Sequence, residues 1–321
     1  MQETIGTNIE IAFEFLINNK LVAIPTETVY GLAGNALNEE VISNIFAAKN
    51  RPKFNPLILH LKSFDEINKY CVDVSEIAYK VAHFFMPGPI TLLLKKSNLV
   101  PDLLTAGSNK VAVRIPNHPL TLKLLQKLPF PLAAPSANPF GYISPTSAQH
   151  VAEHLGNKVS YILDGGECTI GIESTIIEFE NNEIFLHRNG GISKEDIENF
   201  TGLKCIHFEN KNTIQTPGQL KSHYAPHTPL YRGCSEDFRF DFKNKKVAVI
   251  SFKKKEIVQE NIDYYFLSEK GLLEEAAINL FKILRLIDKK NYHLIIAEIL
   301  PNTGLGIAIN DRLDRAQFIH K

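Results

Sequence analysis

Residues 24–36 read IPTETVYGLAGNA, and the change of character along this stretch organises what surrounds it. The run LVAI at 21–24 is apolar and branched, as a buried strand is, and Pro25 ends it because proline has no amide hydrogen for a ladder. Thr26, Glu27, Thr28 and Tyr30 then crowd together before YGLAGNALNEE leads toward a helix. The expected element is a strand-to-helix connection, a kind of segment that lines ligand clefts in mixed sheets. Threonines here also form turns and cap helices, so the motif alone leaves both readings open.

On either side, short apolar runs alternate with helical spacing. The strand candidates are LVAIP, PLILHL, ITLLLK, VAVRIP, PLAAP, YILDGG, STIIEF and EIFLHR, and helical periodicity appears in 8–18, 39–49, 73–84, 118–127 and 145–155. Strands and helices interleave without a strict βαβ rhythm. The expected class is therefore α/β of the mixed α+β kind, with a twisted mixed sheet and flanking helices over residues 1–206. Residues 207–230 contain PGQLKSHYAP, are rich in proline and polar groups, and read as a linker. Residues 231–321 offer KKVAVISF, a helix in GLLEEAAINLFKILRLIDKK, HLIIAEIL and a last helix from about Thr303, a small Rossmann-like α/β domain in the order β-α-β-α. Its GLGIAI lacks the third glycine of a dinucleotide loop, and no strand carrying a ribose-binding acid follows, so a nicotinamide nucleotide is not expected there.

With 321 residues the chain exceeds the size usual for one core, which fits two domains. A hydrophobic share of 44% against 22% charged residues is that of a soluble globular protein, and no run approaches the ~20 apolar residues of a membrane span. Acids near the start, where a secretory leader is basic, point to a cytoplasmic protein. Cys71, Cys168, Cys205 and Cys234 form no C-x-x-C pair and read as reduced thiols. Residues 1–206 hold 17 Lys+Arg against 21 Asp+Glu, which argues against binding nucleic acid mainly through its phosphates.

Several stretches could carry chemistry. In FAAKNRPKFNPLILH, Lys49, Arg51 and Lys53 end a helix, while Pro52 and Pro56 force extended backbone at Arg51 and Asn55. Such a loop can clamp a polyphosphate, although cations at a helix C-terminus are also ordinary dipole partners. His60 lies within an apolar strand, as hydrogen-bonded core histidines do. Arg114, at the end of VAVRIPNHP, needs a carboxylate or phosphate, supplied either internally or by a ligand. LAAPSANPFGYISPTSAQHV sets Ser136, Asn138, Gly141 and Ser144 among small residues, and Ser144 before Pro145 reads as a helix N-cap. His150 and His154 have a zinc-like spacing without a third ligand. DGGECTIGIESTIIEF and LHRNGGIS add Ser174, Thr175 and Arg188 beside glycines. Neither a P-loop nor a G-x-S-x-G turn is present.

Taken in order, P-T-E-T-V-Y-G-L, the K-x-R-P loop, N-P-L-I-L-H, P-G-P-I-T-L-L-L, V-A-V-R-I-P, P-S-A-N, S-P-T and G-I-E-S-T-I-I closely resemble the YrdC-type threonylcarbamoyl-AMP synthases. PGQLKSHYAP and GLGIAINDRLDRA resemble the linker and C-terminal domain of the longer, two-domain members. The resemblance implies a nucleotidyltransferase: L-threonine takes up bicarbonate or CO2 on its amine, and the carbamate attacks the α-phosphate of ATP to give threonylcarbamoyl-AMP and pyrophosphate. The product serves threonylcarbamoyladenosine modification of tRNA, with hand-off to the tRNA threonylcarbamoyl transferase machinery.

The resemblance also implies roles. Thr28, His60, Arg114, Ser174 and the backbone at Ala134 would hold threonine. Arg51, Asn55, Lys110, Ser136, Ser144, Arg188 and Tyr224 would contact ATP, with Lys49 and Arg51 as the catalytic cations. Mg²⁺ would accompany ATP with no protein ligand assigned, and the linker would close over the cleft as a lid. Two departures stand out. Lys110 occupies a place where the family often has a small hydroxyl residue, which leaves backbone contact only, and Leu220, Lys221 and Ser222 replace the aromatic and basic residues common in the linker. The alternatives are a related carbamoyl-adenylate enzyme of hydrogenase maturation, whose cysteine-rich zinc modules are missing here, and a non-catalytic RNA-binding module.

Overall fold

The computed structural model describes residues 4–208, 216–217, 223–233, 245–254 and 262–317. The large domain is built on a mixed sheet whose strands are β1 Ile5–Gly6, β2 Val22–Ile24, β3 Gly31–Asn35, β4 Ile58–His60, β5 Ile90–Lys95, β6 Lys110–Arg114, β7 Leu132–Ala133, β8 Tyr161–Leu163, β9 Thr175–Glu180, β10 Glu183–Arg188 and β11 Cys205–His207. They lie side by side in the order β1-β8-β2-β3-β7-β4-β6-β5-β9-β10-β11. Helices α1 Ile9–Ile17, α2 Glu39–Lys49, α3 Ile67–Tyr70, α4 Glu76–Phe85, α5 Pro119–Lys127, α6 Ala148–Leu155 and α7 Lys194–Thr201 surround it. Every expected strand of this domain is present. Leu32, Leu59, Leu92 and Val113 pack into one apolar cluster, and Val22, Ile24, Leu132 and Leu163 into another.

Two local expectations are overturned. Residues 24–36 do not lead from strand to helix, because Gly31–Asn35 forms β3, antiparallel to β2 with Val22 opposite Ala33. The helix starts only after Asn38, whose side chain accepts from the amides of Glu40 and Val41. Small residues made this strand hard to recognise, and tertiary packing demands them: a Cβ on Gly34 would lie 2.4 Å from a Val41 methyl. Likewise, Ser144 does not cap a helix. Pro145 accepts from the Tyr30 amide at 2.9 Å, so this segment runs along the opening motif, and Ser147 caps α6 instead.

The small domain carries β12 Leu230–Arg232, β13 Val247–Lys253, β14 Ile262–Ser268 and β15 Leu294–Ala297, with α8 Leu273–Asp288 and α9 Leu305–Ala316. Its strands are parallel in the order β12-β15-β13-β14. The expected β-α-β-α order thus missed β12 and β14, short or mixed-polarity runs whose pairing is long-range. GLGIAI opens α9, where a Cβ on Gly306 would meet the Pro301 carbonyl oxygen at 2.0 Å; its glycine is a packing requirement. Val29, Tyr142, Ile143 and Ile172 of the large domain share one apolar cluster with Leu280, Phe281 and Leu284, so the two domains bury a common core. Among the described residues no helix is long and apolar enough to cross a membrane.

Asp288, at the end of α8, ties this interface to the linker. It accepts from Tyr142 Oη at 2.8 Å and the Thr228 amide at 2.9 Å, and faces His227 Nδ1 at 2.9 Å. Burial raises its pKa, but the hydrogen bonds from Thr228, His227 and Tyr142 outweigh that and hold the carboxyl below its usual range. The stability this supplies is present above the unfolded pKa of about 3.9 and is lost as pH falls through the lower folded value. Asp288→Ala is expected to cost about 1–3 kcal/mol at neutral pH. Urea unfolding should show that difference shrinking at acid pH, and a pH-independent loss would contradict the assignment.

Candidate functional site

Five segments from distant parts of the chain meet at one end of the large sheet. Parallel pairing of β4 with β6 sets His60 beside Arg114, and antiparallel β7 brings Ala134 against β4 through its amide bond to Ile58 O. The turn entering β9 carries Glu173 and Ser174, and Arg188 ends β10. Gly190 lets the exit from β10 press on that turn, since a Cβ there would lie 2.3 Å from the Ser174 carbonyl carbon. These elements enclose a cavity of about 50 Å³ lined by Thr28, Arg51, His60, Arg114, Ala134, Ser136, Glu173, Ser174 and Arg188, with Pro217, His223 and Tyr224 from the linker.

Arg114 has the internal partner that sequence left open. Its Nη2 lies 2.8 Å from Glu27 Oε1 and its Nε donates to Gly88 O at 3.2 Å. The other Glu27 oxygen accepts from the Asn117 amide at 3.0 Å. Glu27 is thus the answer to the polar crowding in PTETVY: Thr26 binds the Val29 carbonyl at 2.6 Å and shapes the turn, Thr28 faces the cavity, and Glu27 orients a buried guanidinium.

Arg51 and Arg188 differ from Arg114, for their hydrogen bonds go to uncharged oxygens. Arg51 donates to Asn55 O, Asn55 Oδ1 and Pro56 O at 2.6–3.1 Å. Arg188 donates to Ser174 O, Ser174 Oγ and Pro217 O, and Ser174 is braced by Thr91 Oγ1 at 2.7 Å. Burial, then the nearby Arg188, pulls Arg51 down to about 9. Burial likewise pulls Arg188 down to about 10, with Arg312 and Arg114 acting the same way against Tyr224 and Glu173. Both stay protonated at neutral pH. Crowded guanidiniums bonded only to uncharged oxygens have the chemistry to receive an anion. Burial and Arg114 lower His60 to about 3, so its imidazole is neutral in the working range.

The cavity therefore gathers Thr28, Arg51, His60, Arg114, Ala134, Ser136, Ser174, Arg188 and Tyr224 of the expected residues. Four others stand outside its lining. Lys49 is buried beneath the PSAN turn and donates to the carbonyls of Ser136 and Asn138, so it braces the wall. Asn55 holds Arg51, and Ser144 donates to Glu173 Oε1 at 2.6 Å. Lys110 begins β6 while Arg114 ends it, about 13 Å along an extended strand, and its ammonium pairs with Glu178. Glu173, Pro217 and His223 were not foreseen, and Glu27 was noticed only as one of the polar crowd in PTETVY, without its part in holding Arg114. The two acids were visible only as charges inside otherwise uncharged motifs.

Among the described residues no group of three or more His, Cys, Asp or Glu could hold a metal ion. The cavity-lining Glu173 is committed to Ser144 and Arg312, and Glu27, behind the lining, to Arg114. Cys71, Cys168 and Cys205 are buried and unpaired. Cys234, Leu220, Lys221 and Ser222 lie outside the described residues.

Known proteins share this fold. A Sua5/YciO/YrdC family model, described as telomere recombination, matches residues 14–190, and a model described as threonylcarbamoyl-AMP synthase, C-terminal domain, matches residues 192–317. The chain belongs to the Sua5/YciO/YrdC family. Its similar members include the threonylcarbamoyl-AMP synthase of Pyrococcus abyssi, 42% identical over 96% of this chain and 93% of the relative, and that of Bacillus subtilis, 38% identical over 95% and 91%. The crystal structure of P. abyssi Sua5 complexed with L-threonine superposes with a TM-score of 0.88 at 40% identity, covering 96% of this chain and 94% of that one. Full-length HypF shares the fold alone, at 20% identity and a TM-score of 0.51 over 57% of this chain.

Proposed function

We propose that the chain makes threonylcarbamoyl-AMP and pyrophosphate from L-threonine, bicarbonate or CO2 and ATP, as a cytoplasmic enzyme of tRNA threonylcarbamoyladenosine modification. The observation that carries this reading is the convergence of Arg51, Arg114 and Arg188 on one hydroxyl-lined cavity. Arg114, held by Glu27, takes the threonine carboxylate. Thr28, neutral His60, Ser174 and the Ala134 backbone surround the rest of the amino acid. Arg51 and Arg188 take the phosphates, with Ser136 beside the nucleotide.

In the reaction a carbamate oxygen forms the new bond to the α-phosphorus while the bond to the pyrophosphate oxygen breaks. The nucleophile comes from the substrate, so the enzyme supplies orientation and charge neutralisation. That requirement agrees with a site rich in fixed cations. Mg²⁺ arrives as the counterion of ATP. The labile product passes on to the tRNA threonylcarbamoyl transferase machinery.

The small space in the cavity supports reading the linker as a lid. About 50 Å³ is free, whereas pockets for ligands of nucleotide size span roughly 300–1,000 Å³, so Pro217, His223 and Tyr224 must shift for ATP to enter. Tyr224 holds a left-handed φ of 64°, a costly conformation for this residue type. Tyr224→Ala is expected to lower the yield of intact adenylate on the order of tenfold by admitting water. Following adenylate and free AMP together tests this, and an unchanged ratio removes the lid role.

The decisive experiment incubates the protein with ATP, Mg²⁺, bicarbonate and each amino acid in turn, with mass detection of the adenylate. Threonine alone should give a strong signal together with equimolar pyrophosphate. No adenylate with any amino acid would defeat the reading.

A further inference from the structure

Arg312 belongs to α9 of the small domain, yet its guanidinium lies against the wall of the large domain's cavity. The side chain is fully buried, and Nε donates to Glu173 Oε2 at 3.1 Å. Nη1 donates to Asn189 O at 2.6 Å and also lies 3.3 Å from Asp311 Oδ2. The guanidinium stands 5.5 Å from the centre of the Tyr224 ring, so one side chain touches both the cavity wall and the lid. Nη2 is buried with no hydrogen-bond partner.

Domain docking does not explain so expensive a group. The two domains already share an apolar cluster, and a well-packed apolar residue at this point would dock them without stranding a donor. Glu173 does explain it. This carboxylate lines the cavity with 6% exposure, close enough for its charge to act on Arg188. An uncompensated carboxylate beside a polyphosphate site repels the ligand in a low-dielectric surrounding. One Glu173 oxygen is held by Ser144, so the other depends on Arg312.

We propose that Arg312 is a positioning residue for nucleotide binding: it neutralises Glu173 and keeps it against Ser144, so that the small domain sets the ATP affinity of the large domain's site. This rests on the synthase reading above for the identity of the nucleotide. The small domain thereby has a task in the chemistry besides covering apolar surface.

Calorimetry of ATP and of threonine binding, separately, tests it without relying on turnover. Arg312→Met should weaken ATP about tenfold or more and leave threonine within about twofold, while Arg312→Lys, which keeps the charge, should stay within about threefold of wild type for both. Adding Glu173→Gln to Arg312→Met should bring ATP affinity back to within about threefold. Equal weakening of both ligands, or a double variant worse than the single one, would show a merely structural role and overturn the proposal. Should R312M not fold, E173Q and R312M/E173Q replace it: the proposal requires one shared ATP affinity, and a further loss on adding R312M overturns it. Pyrophosphate release by the wild type is read in parallel. ATP binding that follows this pattern without release would leave Arg312 in place and refute the synthase reading, and wild-type protein that binds no ATP would end both.

Discussion

Arg51→Ala is expected to lower ATP-dependent pyrophosphate release on the order of 100- to 1,000-fold while the fold survives. The size of the loss follows from the electrostatics of the cavity. Arg51 and Arg188 are buried side by side with bonds only to uncharged oxygens, so each is held ready for an anion and pays little reorganisation when phosphate arrives. Survival of the fold follows from the same contacts. The partners lost are Asn55 and Pro56 of Arg51's own loop, and the buried Arg51 charge that disappears is one that burial and Arg188 already oppose. A coupled pyrophosphate assay with a thermal melt separates the two effects. Unchanged release in a folded variant would remove Arg51 from the phosphate site.

Arg114→Ala should weaken threonine on the order of 100-fold, with ATP affinity kept. Here stability is at risk as well. Glu27 would become an unpaired buried carboxylate, a defect that costs about 3–5 kcal/mol when one partner of a buried pair is removed. The informative variant is therefore Arg114→Ala combined with Glu27→Gln, which removes the stranded charge. Calorimetry of this variant should show threonine binding lost and ATP binding intact. Threonine affinity within a few-fold of wild type would place its carboxylate elsewhere.

The uneven legibility of the site has a physical origin. Arg114 could be read because a guanidinium at the end of an apolar strand needs a partner, whereas His60, Ser174 and Arg188 were given their roles by the family resemblance of the motifs that hold them. Glu27 and Glu173 escaped because a carboxylate in a loop looks solvated until its partner is known, and Arg114 and Arg312 stand 87 and 139 residues away. Lys49, Asn55, Ser144 and Lys110 show the converse. Their types suit ATP, but side-chain direction depends on the packing of neighbours, and it turns Lys49 toward two carbonyls and Lys110 toward Glu178.

The same division runs through the fold. The local order of residues by itself determined the apolar strands β4, β5, β6 and β9, the helix at Glu39–Lys49, the K-x-R-P loop and the place of the linker, since hydrophobic period and proline act over a few residues. Only the tertiary structure decided that Gly31–Asn35 is a strand, that β12 and β14 complete a parallel sheet, and that Arg312 reaches Glu173 across the domain boundary. Each of these depends on a hydrogen-bond or charge partner remote in the chain, and the identity of such a partner is set when the core closes and not by the residues alongside.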